Sequence, residues 1–176
     1  GTQFQAEYCE RKLPDTVVNI EKYLASGAIK GIGPSLATKI VRVFGSQTLE
    51  IMENDPYRLS EIKGISAKKC EEIASEAKKL FSLRSIMTYL SQYEVKSQFA
   101  MKAYRKFGEN SMELIKDNPY LLCGEMIELD FKKADVIAHD MRIEKNSDKR
   151  ILAGMQYILK MNTTLGHSCL PLSVLL

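Results

Sequence analysis

Two short strings carry the chemistry that this sequence offers. Lys30-Gly31-Ile32-Gly33-Pro34-Ser35-Leu36-Ala37-Thr38-Lys39-Ile40 is one, and Lys63-Gly64-Ile65-Ser66-Ala67-Lys68-Lys69-Cys70 is the other. Each reads as a tight glycine hairpin that opens directly into a helix. Glycine lets a turn expose its backbone N–H groups, because no Cβ blocks approach or forbids a positive φ. A helix start adds unpaired N–H groups and the positive end of the helix dipole. Together these make an anion site, and phosphate is the usual anion. The candidate phosphate-binding residues are Lys30, Gly31, Ile32, Gly33, Ser35 and Lys39 at the first hairpin. At the second they are Lys63, Gly64, Ser66, Lys68 and Lys69. Residues 30–45 contain Lys30, Lys39 and Arg42 and no acid. Backbone contacts to phosphate carry no base information, so binding is expected to be non-specific and salt-sensitive.

The elements that position these strings are themselves repeated. Phe44-Gly45-Ser46 recurs as Phe107-Gly108-Glu109, and Asn54-Asp55-Pro56-Tyr57 recurs as Asp117-Asn118-Pro119-Tyr120, both at an offset of 63 positions. Two anchors at one offset indicate duplicated supersecondary units. On that offset residues 95–100 align with residues 32–37. After one added residue, residues 128–131 align with residues 64–67. The hairpin glycines of the first half then become Glu94, Lys96 and Glu128. Four tandem units follow, two competent for phosphate and two mainly structural. Tyr57 and Tyr120 are equivalent, as are Phe44 and Phe107, and their recurrence reads as packing rather than base stacking.

Periodicity and punctuation predict an all-α chain with one lone N-terminal strand over Thr2 to Glu10. Asp15 is expected to cap a helix reaching Ser26, and Gly45 to stop a helix over Pro34 to Phe44. Ser46 is expected to cap the next helix. Asp55 and Asn118 each precede a proline at a first helical position. Further helices are predicted over Ala67–Phe81, Leu83–Tyr93, Ser97–Phe107, Ser111–Asn118, Lys132–Met141 and Asp148–Asn162. A strand with nothing to pair, and a new apolar segment at Leu170 to Leu176, predict a piece of a longer chain.

Composition sets limits. The 176 residues carry a net charge of +3, with 45% hydrophobic and 27% charged residues, which is ordinary for a globular chain. Cys9, Cys70, Cys123 and Cys169 are scattered without a C-x-x-C. His139 and His167 are not spaced with them as zinc ligands, so reduced thiols are expected and no metal site. No apolar run is long enough to span a membrane and no leader is present, so a cytoplasmic chain is expected. Catalytic motifs are missing too: there is no G-x-x-x-x-G-K-[ST], no G-x-S-x-G and no H-E-x-x-H. This stretch is therefore expected to be non-catalytic.

The paired strings resemble the helix-hairpin-helix motif of DNA repair and replication proteins. Helix-hairpin-helix glycosylases carry a catalytic aspartate beyond the hairpin, but Asp55 stands directly before Pro56 and reads as a helix cap. The wider string resembles one family closely. Tyr23 to Pro34, the Phe44-Gly45 stop, Asn54 to Leu59 and Gly166-His167-Ser168-Cys169-Leu170-Pro171 look like the N-terminal region of RecD-like ATP-dependent DNA helicases. These superfamily 1 enzymes are also described as the exodeoxyribonuclease V alpha subunit. The resemblance implies a 5′→3′ helicase parent that uses ATP and magnesium, neither of which this stretch would hold. It implies a β domain before the array and a motor after it. Residues 1–13 would end that domain or form a linker. Residues 14–81 would be the first hairpin pair and 82–145 the second, degenerate pair. Residues 146–176 would lead towards the motor. DNA is the expected partner, with a contact to the motor domain as a second. Related sequences often keep glycine where Glu128 and Asp130 stand, which argues against DNA contact by the fourth unit. Two alternatives remain open at this point. One is a helix-hairpin-helix module of a nuclease, ligase or junction-binding protein. The other is a helical protein-interaction domain whose hairpins are only turns.

Overall fold

The computed structural model describes residues 13–166 and residue 171. The expected N-terminal strand, Cys9, His167, Cys169 and the apolar C-terminal segment lie outside the described residues, apart from Pro171. Among the described residues the fold is all-α, with no strand. It forms two compact units that divide between Ser82 and Leu83.

The first unit contains α1 (Val17–Ala25), α2 (Pro34–Phe44), α3 (Thr48–Asn54) and the first part of α4 (Ala67–Ser91). Two 3-10 turns, Gly45–Gln47 and Pro56–Glu61, join them. α2 shows why these residues form a helix. Pro34 starts it, Ala37, Ile40, Val41 and Phe44 form its buried stripe, and Gly45 stops it at φ 57°. The core gathers Ile20, Leu24, Ile40, Met52, Leu59 and Ile73, all essentially inaccessible.

The second unit repeats this plan. α5 (Ser97–Phe107), the 3-10 turn Gly108–Asn110, α6 (Ser111–Asp117), the 3-10 turn Pro119–Cys123 and α7 (Phe131–Asp140) follow in the same order. α8 (Asp148–Thr164) belongs to this unit, because Ala153 is buried in its core. The duplication reaches single bonds. Thr48 donates its hydroxyl to the Gly45 carbonyl at 2.7 Å, and Ser111 donates to the Gly108 carbonyl. Thr48 and Ser111 are the buried polar residues among the described ones, and both are satisfied.

Several local expectations are corrected. The helices predicted over Ala67–Phe81 and Leu83–Tyr93 are one continuous α4, because no glycine or proline interrupts residues 67–91. Its early residues Ile73, Ala77 and Phe81 pack in the first core, and Ile86 and Leu90 pack in the second. Asp15 does not cap α1. Thr16 holds that position without a side-chain bond. Ser46 lies inside a 3-10 turn, and Gln47 precedes α3 instead. Asp55 makes no cap bond, whereas Asn118 accepts from the Tyr120 amide at 3.2 Å.

The two repeat tyrosines also part ways. Tyr120 is 5% exposed and stacks on Phe131, while Tyr57 is 64% exposed. The residue equivalent to Phe131 in the first unit is Ala67, which offers no ring to cover Tyr57. The packing reading therefore holds for Tyr120 and fails for Tyr57.

Candidate nucleic-acid interface

Four turns face this question. Hairpin 1 joins α1 to α2, hairpin 2 leads into α4, hairpin 3 joins α4 to α5, and hairpin 4 leads into α7. Each has a residue at positive φ in the same place: Gly31 at 96°, Gly64 at 99°, Glu94 at 54° and Glu128 at 60°; hairpin 1 has a second, Gly27 at 82°. Each follows it with a buried apolar residue: Ile32, Ile65, Val95 and Leu129. The apolar residue anchors the turn, and the residue before it must bend left-handed to let the chain enter the next helix.

Hairpins 1 and 2 share one geometry. Ile32 donates its amide to the Ile29 carbonyl at 3.2 Å, and Ile65 donates to Ile62 at 3.1 Å. Each is a four-residue turn with glycine third, where a positive φ is required. Ile32 thus serves as an anchor, with its side chain buried and its amide engaged. The amides of Gly31, Gly33, Gly64 and Ser66 make no hydrogen bond among the described residues. Gly33 takes the cap position of α2 at φ −96°, with open space around it and no acid in the first turn. At α4 the Ser66 hydroxyl accepts from the Lys69 amide at 3.2 Å, and the first turn again lacks acid. Lys30, Ser35, Lys39, Lys63 and Lys68 are exposed, and Lys69 is half-buried.

The lysines are arranged in a way that sequence spacing could not show. The Lys69 ammonium lies 3.0 Å from the position a Cβ on Gly31 would take, and the Lys39 ammonium lies 3.9 Å from the same position on Gly64. Each lysine reaches the hairpin that does not precede its own helix. Glu72 accepts a long 3.4 Å contact from Lys69. Lys79, the neighbour of Glu76, lowers that carboxyl's pKa, with Lys30 adding a weaker pull.

Hairpins 3 and 4 present different chemistry on the same frame. Glu94 closes α4 with its amide on the Ser91 carbonyl at 3.0 Å, while the Val95 amide reaches Leu90 at 3.2 Å. That is a helix ending in which the left-handed residue is normally glycine. Lys96 caps α5 without a side-chain bond. At hairpin 4 the Asp130 carboxylate caps α7, accepting from the Lys132 amide at 2.9 Å. Glu128 stands beside it, paired with Lys160 at 3.1 Å and Lys102 at 3.9 Å. Those lysines, Lys160 first, hold the Glu128 carboxyl below the usual range. Hairpin 4 already contains its own anions.

A model of the ATP-dependent RecD2 DNA helicase helix-hairpin-helix domain matches residues 79–169. The chain belongs to the RecD2 helix-hairpin-helix family. A model of the SAM-like helix-hairpin-helix tandem matches residues 22–79. The RecD2-specific match thus falls on the second unit, and the general tandem on the first. The chain is 24% identical over 146 residues to the ATP-dependent RecD2 DNA helicase of Deinococcus radiodurans. That alignment covers 82% of this chain and 20% of that protein, so the chain spans about a fifth of the relative's length. No solved structure matches the chain. No helix among the described residues is long and apolar enough to cross a membrane. Among the same residues no cluster of three or more His, Cys, Asp or Glu is placed to hold a metal ion.

Proposed function

We propose that the chain is a sequence-non-specific DNA-binding module of a RecD-like superfamily 1 helicase, and that its first unit grips backbone phosphates. The observation that carries this reading is the pairing at hairpins 1 and 2. Two exposed turns offer unpaired amides at acid-free helix starts, and each has a lysine ammonium over its glycine. Amide N–H groups, a helix dipole and an ammonium all favour the same ligand, an oxyanion. Lys30, Lys63 and Lys68 add charge around it. The parent would unwind DNA in the 5′→3′ direction with ATP and magnesium. No step of that work is assigned to residues of this chain, which has no P-loop.

The second unit supports a different role. Asp130 and Glu128 repel phosphate at hairpin 4, and α8 leaves Ile151, Leu152, Ile158 and Leu159 exposed. This favours contact between the second unit and the motor domain of the parent. Hydrogen exchange at α8, slowed in a full-length parent relative to this chain, would support that contact; equal exchange would remove it.

The DNA reading is tested by fluorescence anisotropy of a labelled forked oligonucleotide at low and moderate salt. Gly33→Asp is the useful variant. Asp is a preferred cap residue and Gly33 has open space, so α2 keeps its start. The new carboxylate would occupy the anion position, as Asp130 does at hairpin 4. Salt-sensitive binding that weakens in this folded variant supports the module. No binding by the wild type at low salt would overturn it.

A further inference from the structure

The duplicated unit serves as an internal reference for the lysines. Lys102 occupies the repeat position of Lys39, and Lys133 that of Lys69, on the offsets that align the hairpins. Both show the same crossed reach. Lys102, on the helix behind hairpin 3, donates to the Ile127 carbonyl of hairpin 4 at 3.2 Å. Lys133, on the helix behind hairpin 4, donates to the Glu94 carbonyl of hairpin 3 at 2.8 Å. The exchange is therefore a feature of the fold and occurs in both units.

What the lysine finds at the end of its reach differs. At hairpin 4 it finds a carboxylate beside the Ile127 carbonyl. Glu128 grows from the position that glycine holds at hairpin 2, and its Oε2 lies 3.9 Å from the Lys102 ammonium. At hairpin 2, Gly64 projects no side chain, and the Lys39 ammonium has no hydrogen bond or ion pair among the described residues. A carboxylate and a phosphate present the same chemistry to a lysine, namely negative oxygen acceptors. Glu128, bonded to Lys160 through Oε1, thus brings a negative oxygen near the crossed lysine.

We infer that the first unit binds two phosphates by exchange, with Lys39 serving the phosphate at hairpin 2 and Lys69 the phosphate at hairpin 1. This rests on the phosphate reading above and specifies which cation serves which hairpin. The four-carbon stem of lysine suits such a reach, because it delivers a compact charge without a fixed plane. The Lys69–Glu72 contact is exposed and weak, so it does not hold Lys69 away. The consequence is coupling. Each phosphate contacts elements from both hairpins, so neither hairpin binds independently of the helix behind the other.

Double-mutant cycles on the whole 176-residue chain test the exchange. Lys39→Gln and Lys69→Gln are each combined with Gly33→Asp, which closes hairpin 1, and with Ser66→Asp, which closes hairpin 2. The readout is the slope of log affinity against log salt for a forked oligonucleotide, with melting curves as the fold check. Both aspartates are good cap residues, so both helices keep their starts. Lys39→Gln is expected to reduce the slope by about 1 in the wild type and in Gly33→Asp, and to add nothing in Ser66→Asp. Lys69→Gln is expected to show the mirror pattern, and Lys39→Arg to restore the slope. Coupling of Lys39 to Gly33→Asp instead, or equal effects in every background, would overturn the exchange while leaving phosphate binding intact. A wild type without salt-sensitive binding would overturn both.

Discussion

The two units place the same backbone under different side chains. Left-handed residues stand at positions 31, 64, 94 and 128, and buried apolar anchors follow each one. In the first unit the left-handed residue is glycine and the helix cap is uncharged, so the turn surface is backbone amide. In the second unit it is glutamate, and the fourth cap is aspartate. A non-glycine residue in that region costs roughly 1–2 kcal/mol. The second unit offsets this with contacts the first lacks: Lys133 on the Glu94 carbonyl, and Lys102 and Lys160 on Glu128. The same hairpin fold thus carries either a bare amide surface or acidic side chains, with a buried anchor in every case. The RecD2-specific family match lies on the unit with the acidic hairpins.

The largest expected difference between the units is in packing. Tyr120 stacks on Phe131 and donates to Asp135 at 2.7 Å, whereas Tyr57 projects outward. Tyr120→Ala should destabilise the chain by about 3 kcal/mol, and Tyr57→Ala by less than about 0.5 kcal/mol. Chemical denaturation of both variants checks this, and equal losses would break the comparison.

Converting the first unit to the chemistry of hairpin 4 is next in size. Gly33→Asp with Ser66→Asp should weaken binding to forked DNA by about tenfold or more, or about 1.4 kcal/mol, with no loss of melting temperature. Retained affinity would place the binding surface elsewhere.

A smaller contrast is expected with pH. Asp135 in the second unit accepts from Arg150 at 2.7 and 3.0 Å and from Tyr120. These bonds, that of Arg150 first, hold its carboxyl below the usual range. A depressed folded-state value stabilises the fold above the ordinary carboxylate pKa of about 3.9. That contribution is lost as pH falls through the depressed value. Melting curves from about pH 5 to pH 2.5 should therefore fall more steeply for the wild type than for Asp135→Asn. Burial first, and then the Asp135 carboxylate to which it donates, raise the Tyr120 hydroxyl pKa, while Arg150 lowers it.

The smallest effect is a gain. Glu128→Gly with Asp130→Ser would give hairpin 4 the chemistry of hairpin 2. Relief at the left-handed position and loss of exposed ion pairs should nearly cancel in stability. Affinity for forked DNA should rise about threefold at low salt, roughly 0.6 kcal/mol. Unchanged affinity measured by anisotropy would show that the second unit is turned away from DNA for reasons beyond its charge.

Much of the fold was legible because it rests on local rules. α2 and α5 run over the predicted residues, since a proline or polar start, a helical apolar stripe and a glycine stop define each one. The repeat offset was readable because Phe-Gly and Asn/Asp-Pro-Tyr mark turns. Caps were read less well. Asp15, Ser46 and Asp55 have suitable side chains, but whether such a group bonds an amide depends on the backbone angle at its own position. The uninterrupted α4 is not legible locally, because two apolar clusters separated by polar residues look like two helices. Here they feed two cores from one helix.

The duplicated all-α architecture, the four hairpin positions and the glycines in the first two are legible in the chain, because turn residues and helical periods act over a few neighbours. Which lysine meets which hairpin is set by the packing of the folded chain. Packing likewise sets which repeated tyrosine is covered and which helix start carries its own anion. These depend on groups brought together from distant positions, 25 apart for Lys39 and Gly64, and no local spacing specifies such a meeting.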